Sequence, residues 1–233
     1  MIRLLFAAML AGCDAERLSV AVPRGGVDAI QYAQLKRDLW KMTDPRIGGR
    51  VPGSSGSRVV ARYLAERMEM AGMDPGFPDG YRKDLGRQVG EMVCGVHRGS
   101  GDQAVLIVTL DPGIGTLSAL PAVGLLSLAA TFETPQAPMH SLYFCSIPEA
   151  GGLTGFPARS PVPVSAILEV FMVGTLTGPK IVDEPGPKVG HVQSHHLHSG
   201  PIGAGVSERV GELNYRVIRD RIADVYSAVA AVD

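Results

Sequence analysis

The stretch that most constrains this chain is Ala104-Val-Leu-Ile-Val-Thr-Leu-Asp111, followed by the glycine-broken turn Pro112-Gly113-Ile114-Gly115. Five apolar residues in a row, with Gln103 before and a turn after, predict a strand buried on both faces. That is the pattern of a central strand in a parallel sheet. Side chains alternate along a strand, so Thr109 and Asp111 share one face at its C-terminal end. In open α/β sheets the crevice beyond the carboxyl ends of the strands is where ligands bind. Asp111 is therefore the first candidate functional residue.

Helical and extended patterns alternate around this strand. Ile30, Tyr32, Leu35, Leu39 and Trp40 form a helix stripe over 27–42, stopped by Asp44-Pro45. A second helix runs to residue 71, capped by Ser55 or Ser57 and ended by Gly72, with Pro75 beyond. After a polar passage at 74–90, strands are predicted at 92–97, 142–147 and 165–173, with a helix over 117–131. Residues 174–206 read as loop-dominated. A closing helix over 210–232 uses Ile218, Ile222, Val225, Tyr226 and Val229. The alternation predicts an α/β fold: a mixed, mostly parallel sheet flanked by helices on both faces.

The N-terminus has the order of parts of an export signal: Arg3, then apolar residues 4–9, then Leu10-Ala11-Gly12-Cys13. The Leu-Ala-Gly-Cys ending resembles the bacterial lipobox, whose cysteine becomes the lipidated first residue. This reading divides the chain into a signal peptide (1–12), a tether (13–26) and one domain (27–233). Asp14 resembles the signal that keeps lipoproteins at the inner membrane, which implies a lipid-anchored protein on the periplasmic face. A net charge of −1, without a Lys/Arg run, gives no electrostatic case for nucleic acid. Export permits a bridge between the remaining cysteines, Cys94 and Cys145. Sequence does not place them within bridging distance, and the favoured expectation is two buried, reduced thiols.

The order of pieces resembles the co-catalytic zinc aminopeptidase family, which includes the glutaminyl cyclases. The pieces are a helix, Gly49-Arg50-Val51-Pro52-Gly53-Ser54, a helix ending Ala71-Gly72-Met73, a strand, and then the strand carrying Asp111. Glu149-Ala150-Gly151-Gly152-Leu153-Thr154-Gly155 resembles the family's Glu-Glu-x-Gly-Leu-x-Gly turn, and Leu168-Glu169-Val170-Phe171-Met172-Val173-Gly174 its strand ending Asp-Met-x-Gly. The resemblance covers about residues 30–175 and implies a shortened zinc-exopeptidase-like three-layer sandwich.

The resemblance does not carry the metal ligands across. Thr109 stands where the family has its first His, and 117–121 lacks the bridging Asp. Ala150, Phe171 and Arg216 occupy the remaining ligand positions. A catalytic zinc needs three N, O or S ligands at about 2.0–2.3 Å, and a guanidinium does not ligate. Without the ion nothing lowers the pKa of the attacking water. Asp111 and Glu149, the family's two non-ligand carboxylates, survive as vestigial groups, and Arg216 is the expected compensating charge.

A rival arrangement starts from His191-Val-Gln-Ser-His195-His196-Leu-His198, four of the six histidines within eight residues. Imidazole clusters bind transition metals, so His195, His196 and His198 are candidate ligands, although a solvated loop is the expectation. The sequence thus supports a catalytically inactive, aminopeptidase-like lipoprotein, with no cofactor, acting as a binding or assembly subunit of an envelope complex. The alternative is a zinc-dependent aminopeptidase or related hydrolase, its site rebuilt from Asp111, Glu149 and the histidine cluster. No Gly-x-Ser-x-Gly elbow or phosphate loop offers another chemistry.

Overall fold

The computed structural model describes residues 25–111, 113, 117–133, 137–151, 163–170, 182–189, 192–198, 210 and 213–231. The N-terminal segment with Cys13 and Asp14, together with Phe171 and His191, lies outside the described residues. In chain order the elements are α1 (Tyr32–Met42), α2 (Ser55–Met70), β1 (Asp74–Pro75), β2 (Arg82–Asp84), β3 (Glu91–His97) and β4 (Ala104–Asp111). They continue with α3 (Leu120–Thr131), β5 (Ser141–Pro148), β6 (Val164–Val170), β7 (Val182–Val189), β8 (Val192–His198) and α4 (Tyr215–Ala230).

The strands form one sheet in the order β1-β3-β5-β4-β6-β8-β7, with β2 paired on β3. β4 lies at its centre, parallel to β5 on one side and β6 on the other, and β8 continues the parallel run. β3 is antiparallel to β5 and carries the short strands β1 and β2 at one end of the sheet, and antiparallel β7 closes the other. The result is the expected mixed sheet flanked by helices.

β4 alternates between two apolar clusters. Val105 and Ile107 face a cluster to which all four helices contribute, including Leu39, Leu64, Leu125 and Ile222. Leu106 and Val108 face a second, built from Met92, Cys94, Tyr143, Ile147 and Ile167. α3 is buried on nearly every side because it lies between the sheet and the other helices; its Leu/Ala composition, apolar all round, is what that place demands. α2 is capped by Ser54, whose hydroxyl accepts from the Ser57 N–H (3.0 Å), rather than by Ser55 or Ser57. Gly56 in its first turn is a packing requirement: a β-carbon there would run into the carbonyl of Gly49.

The one charged residue buried in α1 is Asp38. It accepts from the Tyr63 hydroxyl (2.5 Å), Arg67 Nε (3.0 Å) and Gln34 Nε2 (2.6 Å), which fastens α1 to α2. A buried carboxylate needs such partners. Burial and the Asp38 hydrogen bond push the Tyr63 hydroxyl well above its usual range.

Two expectations are corrected. Within the stretch 174–206, Val182–Val189 and Val192–His198 are not loop: they form the antiparallel pair β7–β8, with an irregularity between Pro185 and Lys188. β7 is an edge strand, where a proline's missing N–H leaves no ladder bond unmade. The cysteines are not reduced thiols either. Cys94 and Cys145 sit directly opposite across antiparallel β3 and β5, Cα atoms 4.2 Å apart, and form a disulfide. The backbone of Cys94 bonds to Tyr81 and Gly76 on its other side, which makes this a closely spaced, non-hydrogen-bonded pair.

The bridge closes a loop of 51 residues, for which the chain-entropy argument gives about 4 kcal/mol and measured bridges typically 2–4 kcal/mol. Urea unfolding of the Cys94→Ala/Cys145→Ala variant should show a loss in that range. A loss under about 0.5 kcal/mol, the scale of an ordinary surface substitution, would contradict a stabilising bridge.

Candidate functional site

The apolar run of β4 ends at Thr109-Leu-Asp111, and the chain then turns. Asp111 Oδ1 accepts from the N–H of Gly113 (2.7 Å). Gly113 has φ +76°, and a β-carbon there would press on the Arg50 carbonyl. Glycine therefore lets the turn lie against the Gly49–Ser54 segment ahead of α2.

That contact delivers Arg50, whose side chain is 4% exposed. Its Nε lies 3.4 Å from Asp111 Oδ2, its Nη1 donates to the Met42 carbonyl (3.4 Å) and its Nη2 to Ser118 Oγ (2.5 Å). The guanidinium thus ties together the end of α1, the end of β4 and the 3-10 turn (Leu117–Ala119) that leads into α3. A buried ion pair persists only with such additional hydrogen bonds, because both ions lose their water.

The cation of Asp111 is therefore Arg50, not Arg216. Arg216 is exposed in the first turn of α4, held outward because α4 buries Ile218, Ile222, Val225 and Val229. Tyr215 beside it anchors the helix start: its hydroxyl donates to the Val210 carbonyl (2.7 Å), and burial pushes it up to about 12. Glu149 follows β5, exposed, at the head of the 3-10 turn Glu149–Gly151. Thr109 is fully buried, and its Oγ1 has no hydrogen-bond partner among the described residues. Arg50, Pro52, Ser57, Glu91, Asp111 and Ser146 are among the residues lining a cleft of about 30 Å³, room for a water molecule or two.

These groups do not fit a divalent cation. Asp111 is committed to Arg50 and Gly113, Thr109 offers one neutral hydroxyl, and position 150 offers a methyl group. Among the residues whose side chains are described, no three His, Cys, Asp or Glu converge.

The histidine cluster does not complete the site. His195, His196 and His198 lie in β8, opposite Leu168, Glu169 and, on the β7 side, Val182. β8 is two strands from β4, and His195 is level with Ile107, four residues short of Asp111. That separates them by roughly 10 Å across the sheet and roughly 13 Å along it.

In the sequence Arg50 stands within the scaffold motif Gly49–Ser54 and has no role of its own. The available signal was a lone arginine in a Gly/Pro/Ser segment leading into a helix over the sheet.

Because removing one partner strands a buried charge, Arg50→Met should destabilise the domain by about 3–5 kcal/mol. Arg216→Ala, at an exposed site, should stay within about 0.5 kcal/mol. Urea unfolding of both variants checks this; equal effects would contradict the assignment of the pair.

No family profile and no curated protein matches the chain by sequence. Solved structures do match by shape. A glutaminyl cyclase from Porphyromonas gingivalis superposes with a TM-score of 0.58 at 10% identity, over 90% of this chain and 99% of that one. An aminopeptidase from Aneurinibacillus sp. strain AM-1 gives 0.64 at 10% identity, over 87% and 94%. The LapA aminopeptidase of Legionella pneumophila gives 0.66 at 12% identity, over 88% and 73%. At these identities the likeness shows the fold: the chain has the mixed α/β architecture of the zinc aminopeptidases and glutaminyl cyclases.

Proposed function

We propose that this protein is a non-catalytic relative of the aminopeptidase-like proteins it resembles, serving as a binding or assembly subunit of an envelope complex. The observation that carries the reading is the state of Asp111: at the strand end where this fold places its chemistry, the carboxylate is occupied by Arg50 and Gly113. Thr109 and Ala150 supply no metal donor set around it. Glu149, left as a lone base with bulk water, lacks the ion that would activate that water or polarise a carbonyl.

The location belongs to the same proposal: lipidation at Cys13, with Asp14 favouring retention at the inner membrane, on the periplasmic side. The Cys94–Cys145 bridge supports it, because disulfides persist in oxidising compartments and are rare in the cytosol. The partner is a protein of the same membrane-associated complex, contacted through the loops at the strand ends, since loops carry recognition.

The test combines chemistry with location. With zinc supplied, wild-type protein should hydrolyse aminoacyl chromogenic substrates and cyclise N-terminal glutamine no faster than Glu149→Gln. Cys13→Ala should abolish labelling by radioactive palmitate and release the protein from membranes. Turnover with a stoichiometric ion, lost in Glu149→Gln, would overturn the non-catalytic reading; membrane retention of Cys13→Ala would overturn the anchor.

A further inference from the structure

α1 divides its charges by face. Asp38 points inward and is consumed by Tyr63, Arg67 and Gln34. Its solvent face carries Tyr32, Lys36, Arg37, Trp40 and Lys41, all exposed, with Trp40 at 53% and Tyr32 at 43%. Just past the helix, Arg37, Trp40, Lys41, Asp44, Pro45 and Arg46 bound an open notch of about 390 Å³.

The only carboxylate of the notch is already engaged. Arg46 Nε and Nη2 grip both oxygens of Asp44 at 2.6–3.0 Å, and the Arg46 backbone N–H adds a fourth contact (2.9 Å). Those hydrogen bonds hold the Asp44 carboxyl at about 2, so it is ionised and paired at any physiological pH. Lys36, Arg37 and Lys41 have no acidic partner among the described residues. The face therefore joins unneutralised cations to the chain's single tryptophan.

We propose that this face docks on an anionic phospholipid surface, with head-group phosphates at Arg37 and Lys41 and the Trp40 ring at the interface. Charge complementarity selects the occupant: the cations need a dense array of anions. An indole with an apolar body and a polar N–H suits the head-group level. The apolar face of α1 is spent on the core, so attachment here rests on the cations and the one exposed indole, the electrostatic mode by which basic surfaces are drawn to anionic leaflets. No described helix is long and apolar enough to span one. The proposal does not require lipidation at Cys13. An anchor there would only raise the local concentration of bilayer at the face.

Trp40 is its own reporter. Full-chain protein is mixed with phosphatidylcholine vesicles, or with vesicles that also contain phosphatidylglycerol, and Trp40 emission is followed with and without brominated lipid. The expected result is a blue shift and bromolipid quenching with the anionic vesicles alone, suppressed by molar salt, where the Debye length falls to about 3 Å. Each cation reversed should weaken the partition about fivefold or more. Arg37→Glu/Lys41→Glu should therefore lose at least about 25-fold, and Arg98→Glu, exposed elsewhere, much less. Equal emission in both vesicle types would overturn the proposal even if an acylated terminus held the chain to each. So would an emission change insensitive to Arg37→Glu/Lys41→Glu. A shift produced by a soluble polyglutamate peptide but not by anionic vesicles would overturn it as well, and make the notch a protein-docking site.

Discussion

Everything in this fold depends on how β4 is satisfied. Its residues from Ala104 to Val108 are fully buried, so every backbone N–H and C=O there needs a partner, and parallel β5 and β6 supply them on either side. That requirement fixes the centre of the sheet and sends the connections over its faces. It also fixes where the apolar run must stop. After Val108 the strand gives up burial by steps: Thr109 is still fully buried, Leu110 packs against the second cluster, and Asp111 reaches the partly exposed strand end.

What happens at that end is a contest between desolvation and pairing. Asp111 is mostly buried, and a carboxylate in such a place must be neutralised by protons, by a metal or by a basic side chain. Arg50 fills that need from the segment ahead of α2, and it also donates to the Met42 carbonyl and Ser118 Oγ. The pair thereby couples three elements, and Asp111 holds the end of β4 to the end of α1 and to the turn before α3 through Arg50. The fold is shared with aminopeptidases and glutaminyl cyclases at 10–12% identity, so its backbone does not dictate which side chains stand at the strand end.

The elements with strong local signals were legible in the sequence. β4 runs over the residues its apolar run predicted, β5 and α2 lie within a residue or so of expectation, and Gly72, at φ +70°, ends α2 as a glycine should. The misses have distinct causes. The antiparallel β7–β8 pair is hidden behind Pro185-Gly-Pro187, a pattern that rules out a central strand but not an edge. The Cys94–Cys145 bridge and the Arg50–Asp111 pair depend on register and packing between segments 51 and 61 residues apart, which no local pattern reports. The outward position of Arg216 is legible in the helix period. Ile218 begins the buried stripe of α4, and two residues correspond to 200° of helix rotation, so Arg216 had to face away from it.

The central claim is that a cation of the chain's own making occupies the acidic strand end, leaving no nest for a metal. Anomalous diffraction at the zinc edge, on crystals grown with the metal in excess, tests this directly. The account predicts Arg50 density against Asp111 and no anomalous peak within bonding distance of Asp111 or Glu149. A peak there with Arg50 swung aside would contradict it.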